Sequence, residues 1–176
     1  MTHTGFPSQC SPNSDRCLTR RIQVDLQTQQ LRLIDGENRI LRFPVSTAMN
    51  GPGEESGSGC TPRGLHVIRI KIGEGLPLYA VFKGRRPTGE IYNEALSAIY
   101  PERDWILTRI LWLSGRQRGF NRGGSTDTLR RFIYIHGCPD SEPMGVPRSH
   151  GCIRMRNGDL IELFDKVESG MEVDIF

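Results

Sequence analysis

The chain has 176 residues, enough for one domain whose hydrophobic core needs no disulfide or metal to support it. Lysine and arginine exceed aspartate and glutamate by 23 to 20, and this mild excess excludes a polybasic nucleic-acid-binding arm as the main feature. Hydrophobic residues make up 36% and charged residues 24%, which excludes a wholly disordered chain, and no apolar run is long enough to cross a bilayer.

The first twenty residues are polar and rich in proline and serine. No secretory signal is readable in them, so the chain either stays inside the cell or uses a signal that this sequence does not contain. We predict a flexible leader over residues 1–20 and a folded domain over residues 21–176. Cys10 and Cys17 lie in the leader, where their spacing permits a small local loop.

Alternating apolar and polar residues predict strands in the first half of the domain. Residues 21–26, 31–35 and 39–46 each alternate, and the turn residues between them predict a meander with tight turns. Residues 50–60 are a loop of glycine, serine and proline, and alternation resumes over residues 61–73.

The second half is less regular. Residues 76–82 predict a short strand, and residues 83–103 a long loop with one helical turn around Asn93–Ile99. The apolar run 104–113 fits a strand buried on both faces or a buried helix, and residues 130–137 predict another strand.

One helix has a clear start and stop. Asn157 is a good N-cap, apolar residues recur at helical spacing over Leu160–Val167, and Gly170 marks the end of the helix. Residues 171–176 are predicted to form a last strand. We therefore predict a mainly β fold, a β-sandwich or curled mixed sheet with one short helix packed against it.

The residues that carry chemistry cluster between positions 133 and 157. A strand ends there at a His-Gly pair, and a loop of proline and glycine can bring a Ser-His-Gly-Cys sequence back to it. The candidate site residues are His136, Gly137, Cys138, Ser149, His150, Gly151, Cys152 and Arg154.

A thiol nucleophile needs a nearby imidazole to accept its proton, and Cys152 with His136 fits that need. Gly151 lets backbone N–H groups approach a developing oxyanion. In an extended chain Arg154 points to the same side as Cys152, where its guanidinium can bind a substrate carboxylate.

The same residue types also suit a zinc site or an ordinary core. His136, Cys138, His150 and Cys152 form a possible zinc set, although the H-x-C spacing differs from the usual zinc knuckles. A single cysteine or histidine is also commonly a core residue. The residue types favour a thiol site and leave these alternatives open.

This segment resembles the signature of the YkuD-type L,D-transpeptidase family, an Ile-His-Gly element followed by Ser-His-Gly-Cys, an apolar residue and Arg or Asn. The matching residues are Ile135–Gly137 and Ser149–Arg154. Residues 44–48 (PVSTA) and 61–68 (TPRGLHVI) resemble the family's Val-Ser-Thr and Thr-Pro-x-Gly elements, and the resemblance covers residues 21–176.

The resemblance implies acyl transfer on peptidoglycan stem peptides. Cys152 would attack the carbonyl of the third stem residue, usually meso-diaminopimelate, and release the terminal D-Ala. The thioester would pass to an amine of another stem, forming a 3–3 cross-link, to a lipoprotein lysine, or to water. Backbone N–H groups of Gly151 and Cys152 would form the oxyanion hole. No cofactor or metal is implied.

The resemblance also assigns roles to the surrounding residues. His136 would be the general base, with the carbonyl of Gly137 orienting its ring. Ser149 and His150 would shape the pocket, and Arg154 would contact the substrate. The thiol is expected to have a low pKa and to react faster with alkylating agents than the other four cysteines.

The family's substrate lies outside the inner membrane, which implies a periplasmic or cell-envelope location. We expect no nucleic-acid partner, since aromatic residues are sparse in the arginine-rich basic segment over residues 106–134. Two alternatives to the transferase remain: an L,D-carboxypeptidase or amidase on the same scaffold, and a zinc-stabilised binding module without turnover.

Cys138 departs from the family, whose members commonly carry threonine or another small residue there. It is either an oxidation partner for Cys152 or a neutral replacement, and we favour the second.

The arginine-rich residues 106–134 are either a cap that attracts substrate carboxylates or a solvated loop. Three further residues are expected in the core or in loop packing: His66, Trp105 and Trp112. Cys60 receives no role.

Overall fold

The structure is a computed structural model that describes residues 20–36 and 39–176. The leader predicted over residues 1–20, with Cys10 and Cys17, lies outside these residues apart from Arg20. Within them the chain forms ten strands and two α-helices. Their bounds are β1 (Arg21–Asp25), β2 (Gln30–Asp35), β3 (Arg39–Ser46), β4 (Gly64–Ile72), β5 (Ala80–Lys83), β6 (Arg86–Ile91), α1 (Glu94–Ile99), β7 (Ile106–Gly115), β8 (Tyr134–Gly137), β9 (Ile153–Met155), α2 (Asn157–Lys166) and β10 (Glu172–Ile175).

All ten strands belong to one sheet with the order β4-β10-β1-β2-β3-β9-β8-β7-β5-β6. Strand β4 also pairs with β7, so the sheet curls until it closes on itself. Two pairs are parallel, β1 with β10 and β8 with β9, and the other pairs are antiparallel. The predicted mainly β fold with a curled mixed sheet is confirmed.

Helix α2 lies against the inner face of this sheet. Its residues Leu160, Leu163 and Phe164 are buried in one core with Ile135 of β8 and Ile153 of β9. Because the helix follows β9 directly, its packing fixes the position of the two strands that carry the His-Gly and Ser-His-Gly-Cys motifs. No helix in the described part of the chain is long and apolar enough to span a bilayer.

The meander of β1, β2 and β3 is confirmed, as is the helical turn at α1, which Asn93 caps by accepting a hydrogen bond from the Leu96 N–H at 2.9 Å. The apolar run is a strand, β7, because β8 on one side and β4 and β5 on the other take up its backbone groups.

Strand β6 was not predicted and lies inside the expected loop 83–103. Its residues are mostly exposed, so no alternation of apolar side chains marks it in the sequence. The turn at Gly84 and Arg85, with φ of 54° and 69°, joins it to β5 as a hairpin.

The start of α2 corrects a second prediction. Asn157 is the first helical residue, and Arg156 occupies the N-cap position without a capping side chain. The amide of Asn157 instead donates to the carbonyl of Cys138 at 2.7 Å, across to the end of β8.

Candidate active site

The parallel pairing of β8 and β9 brings the two motifs together. His136 is the register partner of Arg154, and Ile135 that of Ile153, so Cys152 stands beside Tyr134. Register partners in parallel strands face the same side of a sheet. His136 and Arg154 therefore share one face of the sheet. Cys152 directly precedes β9 and packs in one apolar cluster with Tyr134, which points to the same side of β8 as His136.

His136 is almost fully buried, and its Nδ1 lies 2.8 Å from the carbonyl oxygen of Gly137. A carbonyl can only accept, so Nδ1 carries the hydrogen and Nε2 presents a lone pair. Burial lowers the pKa of His136. The imidazole is therefore neutral near pH 7 and able to accept a proton.

Gly137 is required by a close approach. A Cβ there would clash with the side-chain amide of Asn157 and with the carbonyl oxygen of Leu107. The missing side chain lets the helix start lie directly beneath the strand end that holds the His136 ring.

A buried network supports this strand end, and no local pattern in the sequence points to it. The Thr108 hydroxyl donates to Asn157 Oδ1 at 2.6 Å and accepts from the Tyr79 N–H at 3.0 Å. Thr108 has a φ of 70° where the register of β7 against β8 shifts between Leu107 and Ile110. This bulge turns the hydroxyl toward Asn157.

Cys152 is half-buried, and its Sγ accepts from the Tyr134 N–H at 3.4 Å and donates to the Phe132 carbonyl at 3.5 Å. Burial raises the pKa of the thiol to about 12. The prediction of a low-pKa thiol is wrong, because burial destabilises the thiolate. At neutral pH the sulfur is therefore protonated, and a nucleophilic role would require a base.

The loop before Cys152 is held by its own hydrogen bonds. Ser149 is buried, and its hydroxyl donates to the Cys152 carbonyl at 2.5 Å and accepts from the Gly151 N–H at 3.2 Å. The Thr61 hydroxyl donates to the Gly151 carbonyl at 2.9 Å, and Gly151 has a φ of 131°. Of the two predicted oxyanion donors, the Gly151 N–H is thus engaged by Ser149.

Arg154 is buried and already bound to carboxylates of the chain. Its terminal nitrogens donate to Asp104 at 2.8 Å and to Glu142 at 3.3 Å. Asp104 also lies 3.8 Å from Nδ1 of the exposed His150. These residues line a cavity of about 290 Å³ with Arg148. Sequence reasoning missed Asp104, whose place beside β9 depends on the fold.

Cys138 lies away from Cys152. By the register of β8 and β9 they are four positions apart along the strands, roughly 13 Å, whereas a disulfide needs Cα atoms within about 7 Å. Cys138 Sγ instead contacts the Met155 carbonyl at 3.7 Å.

The alternative zinc set of His136, Cys138, His150 and Cys152 does not converge. His150 faces Asp104, and in residues 20–36 and 39–176 no three His, Cys, Asp or Glu side chains are placed to hold a metal.

Three arginines of the basic segment have structural partners. Arg109 is buried and donates to the Thr108 carbonyl at 2.6 Å, and Arg116 lies 3.6 Å from Glu172. Arg131 donates to carbonyls of the loop over residues 50–60. The exposed arginines of the segment are Arg116, Arg118, Arg122 and Arg130.

Comparison with protein families agrees with the geometry. The model of the YkuD family, described as the L,D-transpeptidase catalytic domain, matches residues 19–175. The chain belongs to this family. A search of curated proteins finds no match.

Solved structures share the fold at low sequence identity. The L,D-transpeptidase of Xylanimonas cellulosilytica is 19% identical with a TM-score of 0.52, and the match covers 96% of this chain and 64% of that one. A mutant L,D-transpeptidase of Enterococcus faecium is 18% identical with a TM-score of 0.53, covering 90% and 50%. L,D-transpeptidase 3 of Mycobacterium tuberculosis is 13% identical with a TM-score of 0.54, covering 90% and 61%. The chain thus spans half to two thirds of the chains it matches.

Proposed function

We propose that this protein is a cysteine-dependent L,D-transpeptidase that acts on peptidoglycan stem peptides. It cleaves the bond between meso-diaminopimelate and D-Ala through a thioester on Cys152 and transfers the acyl group to an amine. The acceptor is a second stem peptide, giving a 3–3 cross-link, or a lipoprotein lysine. The observation that carries the proposal is the packing of Cys152 against Tyr134, on the side of β8 that His136 also faces, with Nδ1 of the imidazole anchored on Gly137.

The reaction begins with both groups neutral. Sγ turns from the Phe132 carbonyl, Nε2 of His136 takes its proton, and sulfur attacks the diaminopimelate carbonyl. Collapse of the tetrahedral intermediate breaks the amide bond, and the imidazolium gives the proton to the departing D-Ala amine. An amine then attacks the thioester, His136 removes its proton, and the restored thiol completes the cycle. The thioester retains acyl-transfer potential, so no ATP is needed.

The other predicted residues act through position. Ser149 and Arg154 were expected to contact substrate, but their contacts are internal, so we assign Ser149 to fixing the catalytic loop and Arg154 to holding Asp104 beside His150. With Gly151 bound to Ser149, the Cys152 N–H is the remaining donor for the oxyanion. Such chemistry places the working enzyme in the periplasm or cell envelope.

The test is incubation with a disaccharide tetrapeptide followed by mass spectrometry. A cross-linked dimer and free D-Ala are expected. A tripeptide product without dimer would replace the transferase with an L,D-carboxypeptidase, and an unchanged substrate would contradict both.

Two matched variants make the assignment specific. Cys152→Ala should abolish D-Ala release and the thioester adduct. Cys138→Ser changes a thiol that lies away from Cys152, and it should retain turnover. Turnover by Cys152→Ala would overturn the proposed nucleophile.

A further inference from the structure

The tip of the β5–β6 hairpin places the guanidinium of Arg85 near Cys152. At its tip Gly84 and Arg85 both have positive φ, the geometry of a tight two-residue turn. The pairing of Lys83 with Arg86 fixes the backbone of this turn, and with it the direction in which the Arg85 side chain leaves the backbone. Arg86, the next residue, is exposed.

The guanidinium of Arg85 lies on an aromatic surface. Its central carbon is 4.7 Å from the ring centroid of Trp112 and 4.6 Å from that of Phe132, and Nη1 donates to the Tyr134 hydroxyl at 3.1 Å. Trp112 contacts both other rings, at 6.1 Å and 5.9 Å between centroids. Two rings and a phenol oxygen therefore hold the cation in place.

This surface adjoins the sulfur. The Tyr134 N–H donates to Cys152 Sγ, and the Phe132 carbonyl accepts from it. Cys152 also packs in the same apolar cluster as Tyr134 and Trp112. An acyl group attached to Sγ therefore begins beside the rings on which Arg85 rests.

The charge of Arg85 is not neutralised within the described part of the protein. Its partners are two rings and a phenol oxygen, and no carboxylate pairs with it there. Arg154, by contrast, is bound to Asp104 and Glu142. A half-buried cation with free N–H groups is suited to a bidentate contact with a carboxylate from outside.

We propose that Arg85 binds the side-chain carboxylate of the residue whose carbonyl Cys152 attacks, and that it thereby selects diaminopimelate over lysine. The two residues have side chains that end in the same amine, and diaminopimelate has one carboxylate more. A site built to bind that carboxylate rejects the residue that lacks it, because the guanidinium stays unpaired. This inference rests on the proposed function.

The experiment measures kcat/KM for D-Ala release from three stem tetrapeptides. They carry meso-diaminopimelate, meso-diaminopimelate amidated at the side-chain carboxylate, or L-lysine in the third position. The wild-type protein should prefer the first over the other two by roughly 10- to 100-fold, the range of one charge-assisted hydrogen-bonding contact.

Variants at the hairpin tip identify the residue responsible. The Arg85→Gln variant should have the same kcat/KM for all three peptides. That value should equal the kcat/KM of the wild-type protein for the lysine peptide. Arg86→Gln removes the same charge from the next residue and should keep the full preference. Arg85→Lys keeps the positive charge but cannot form two parallel hydrogen bonds to a carboxylate, so this variant should retain only part of the preference for the diaminopimelate peptide.

Each result bears on one of the two hypotheses. If the wild-type protein releases no D-Ala from any peptide, the proposed function fails. If it releases D-Ala without preferring the free carboxylate, or if Arg85→Gln keeps the preference, the assignment of Arg85 is wrong while the function stands. The amidated peptide tests the assignment on the wild-type protein, independently of how the variants fold.

Discussion

At the scale of single residues, the site pairs a thiol and an imidazole that burial keeps neutral. Burial raises the pKa of Cys152 to about 12 and lowers that of His136. Both shifts disfavour the ion pair, because an apolar site solvates neither the thiolate nor the imidazolium well. In the proposed reaction, the thiol therefore becomes nucleophilic only when His136 takes its proton.

This balance predicts a particular pH dependence. Alkylation of Cys152 by iodoacetamide should rise about tenfold per pH unit from pH 6 to 9 without a plateau, since the thiolate fraction keeps increasing below a pKa of about 12. The base must be unprotonated, and its pKa is lowered, so the acidic fall of kcat/KM should lie below pH 6.5.

The measurements are alkylation rates by mass spectrometry and kcat/KM for D-Ala release across the same pH range. Cys60, the other partly exposed thiol of the described residues, is the internal reference for alkylation. A plateau in the Cys152 rate near pH 6 would show that the thiolate is already formed in the resting enzyme, against the neutral pair.

At the scale of elements, a bulge in β7 supports the strand end beside His136. Thr108 reaches Asn157 at the start of α2, and Asn157 bonds to the strand end that contains Gly137. One strand and one helix thus converge beneath the carbonyl that orients His136. The hydrogen bonds are buried, so losing one leaves a polar atom without a partner, at a cost of about 1–3 kcal/mol.

Replacing this hydroxyl should affect catalysis as well as stability. Thr108→Val leaves Asn157 Oδ1 unpartnered, so we expect a loss of about 1–3 kcal/mol in unfolding free energy and a lower kcat with little change in KM. Thr108→Ser keeps the hydroxyl and should restore both. Denaturant unfolding and steady-state kinetics provide the measurements.

Thr128→Val is the matched control. Thr128 is equally buried, and its hydroxyl bonds to His66 and Asn121, away from His136. This variant should lose stability but keep kcat. If Thr108→Val and Thr128→Val lowered kcat alike, Thr108 would have only a structural role.

At the scale of the whole molecule, the closed sheet buries a titratable group remote from the chemistry. His66 on β4 is fully buried between the Gly64 carbonyl at 2.8 Å and the Thr128 hydroxyl at 3.0 Å. Burial lowers its pKa to about 4. The folded protein therefore binds this proton less readily than the unfolded chain, and the expected structural role is consistent with this environment.

The protein should lose stability as the pH falls through the window between 6.5 and 4. Within it the unfolded chain takes up a proton at His66 that the folded protein does not, so the unfolding free energy falls, by about 2 kcal/mol between pH 7 and 4.5. His66→Gln cannot titrate and should show a smaller loss over this range in guanidinium unfolding. An equal loss in both proteins would assign the effect to other groups, and the exposed His150→Gln serves as the control.

Local patterns were enough for much of the fold and for choosing His136 and Cys152 as the candidate pair. Alternation located β1, β2 and β3, and Asn93 marked the start of α1, because these signals arise between neighbours in the chain. Strand β6 escaped prediction because backbone pairing alone defines it. The apolar run of β7 stayed ambiguous until its neighbouring strands were known.

The amino-acid sequence by itself determined the family and the chemical identities of thiol and imidazole, since the motifs at Ile135–Gly137 and Ser149–Arg154 are short and contiguous. Only the tertiary structure decided the protonation of Cys152, the carboxylates on Arg154 and the place of Arg85. These properties depend on desolvation and on groups brought together from distant strands, and neither is encoded in the spacing of residues along the chain.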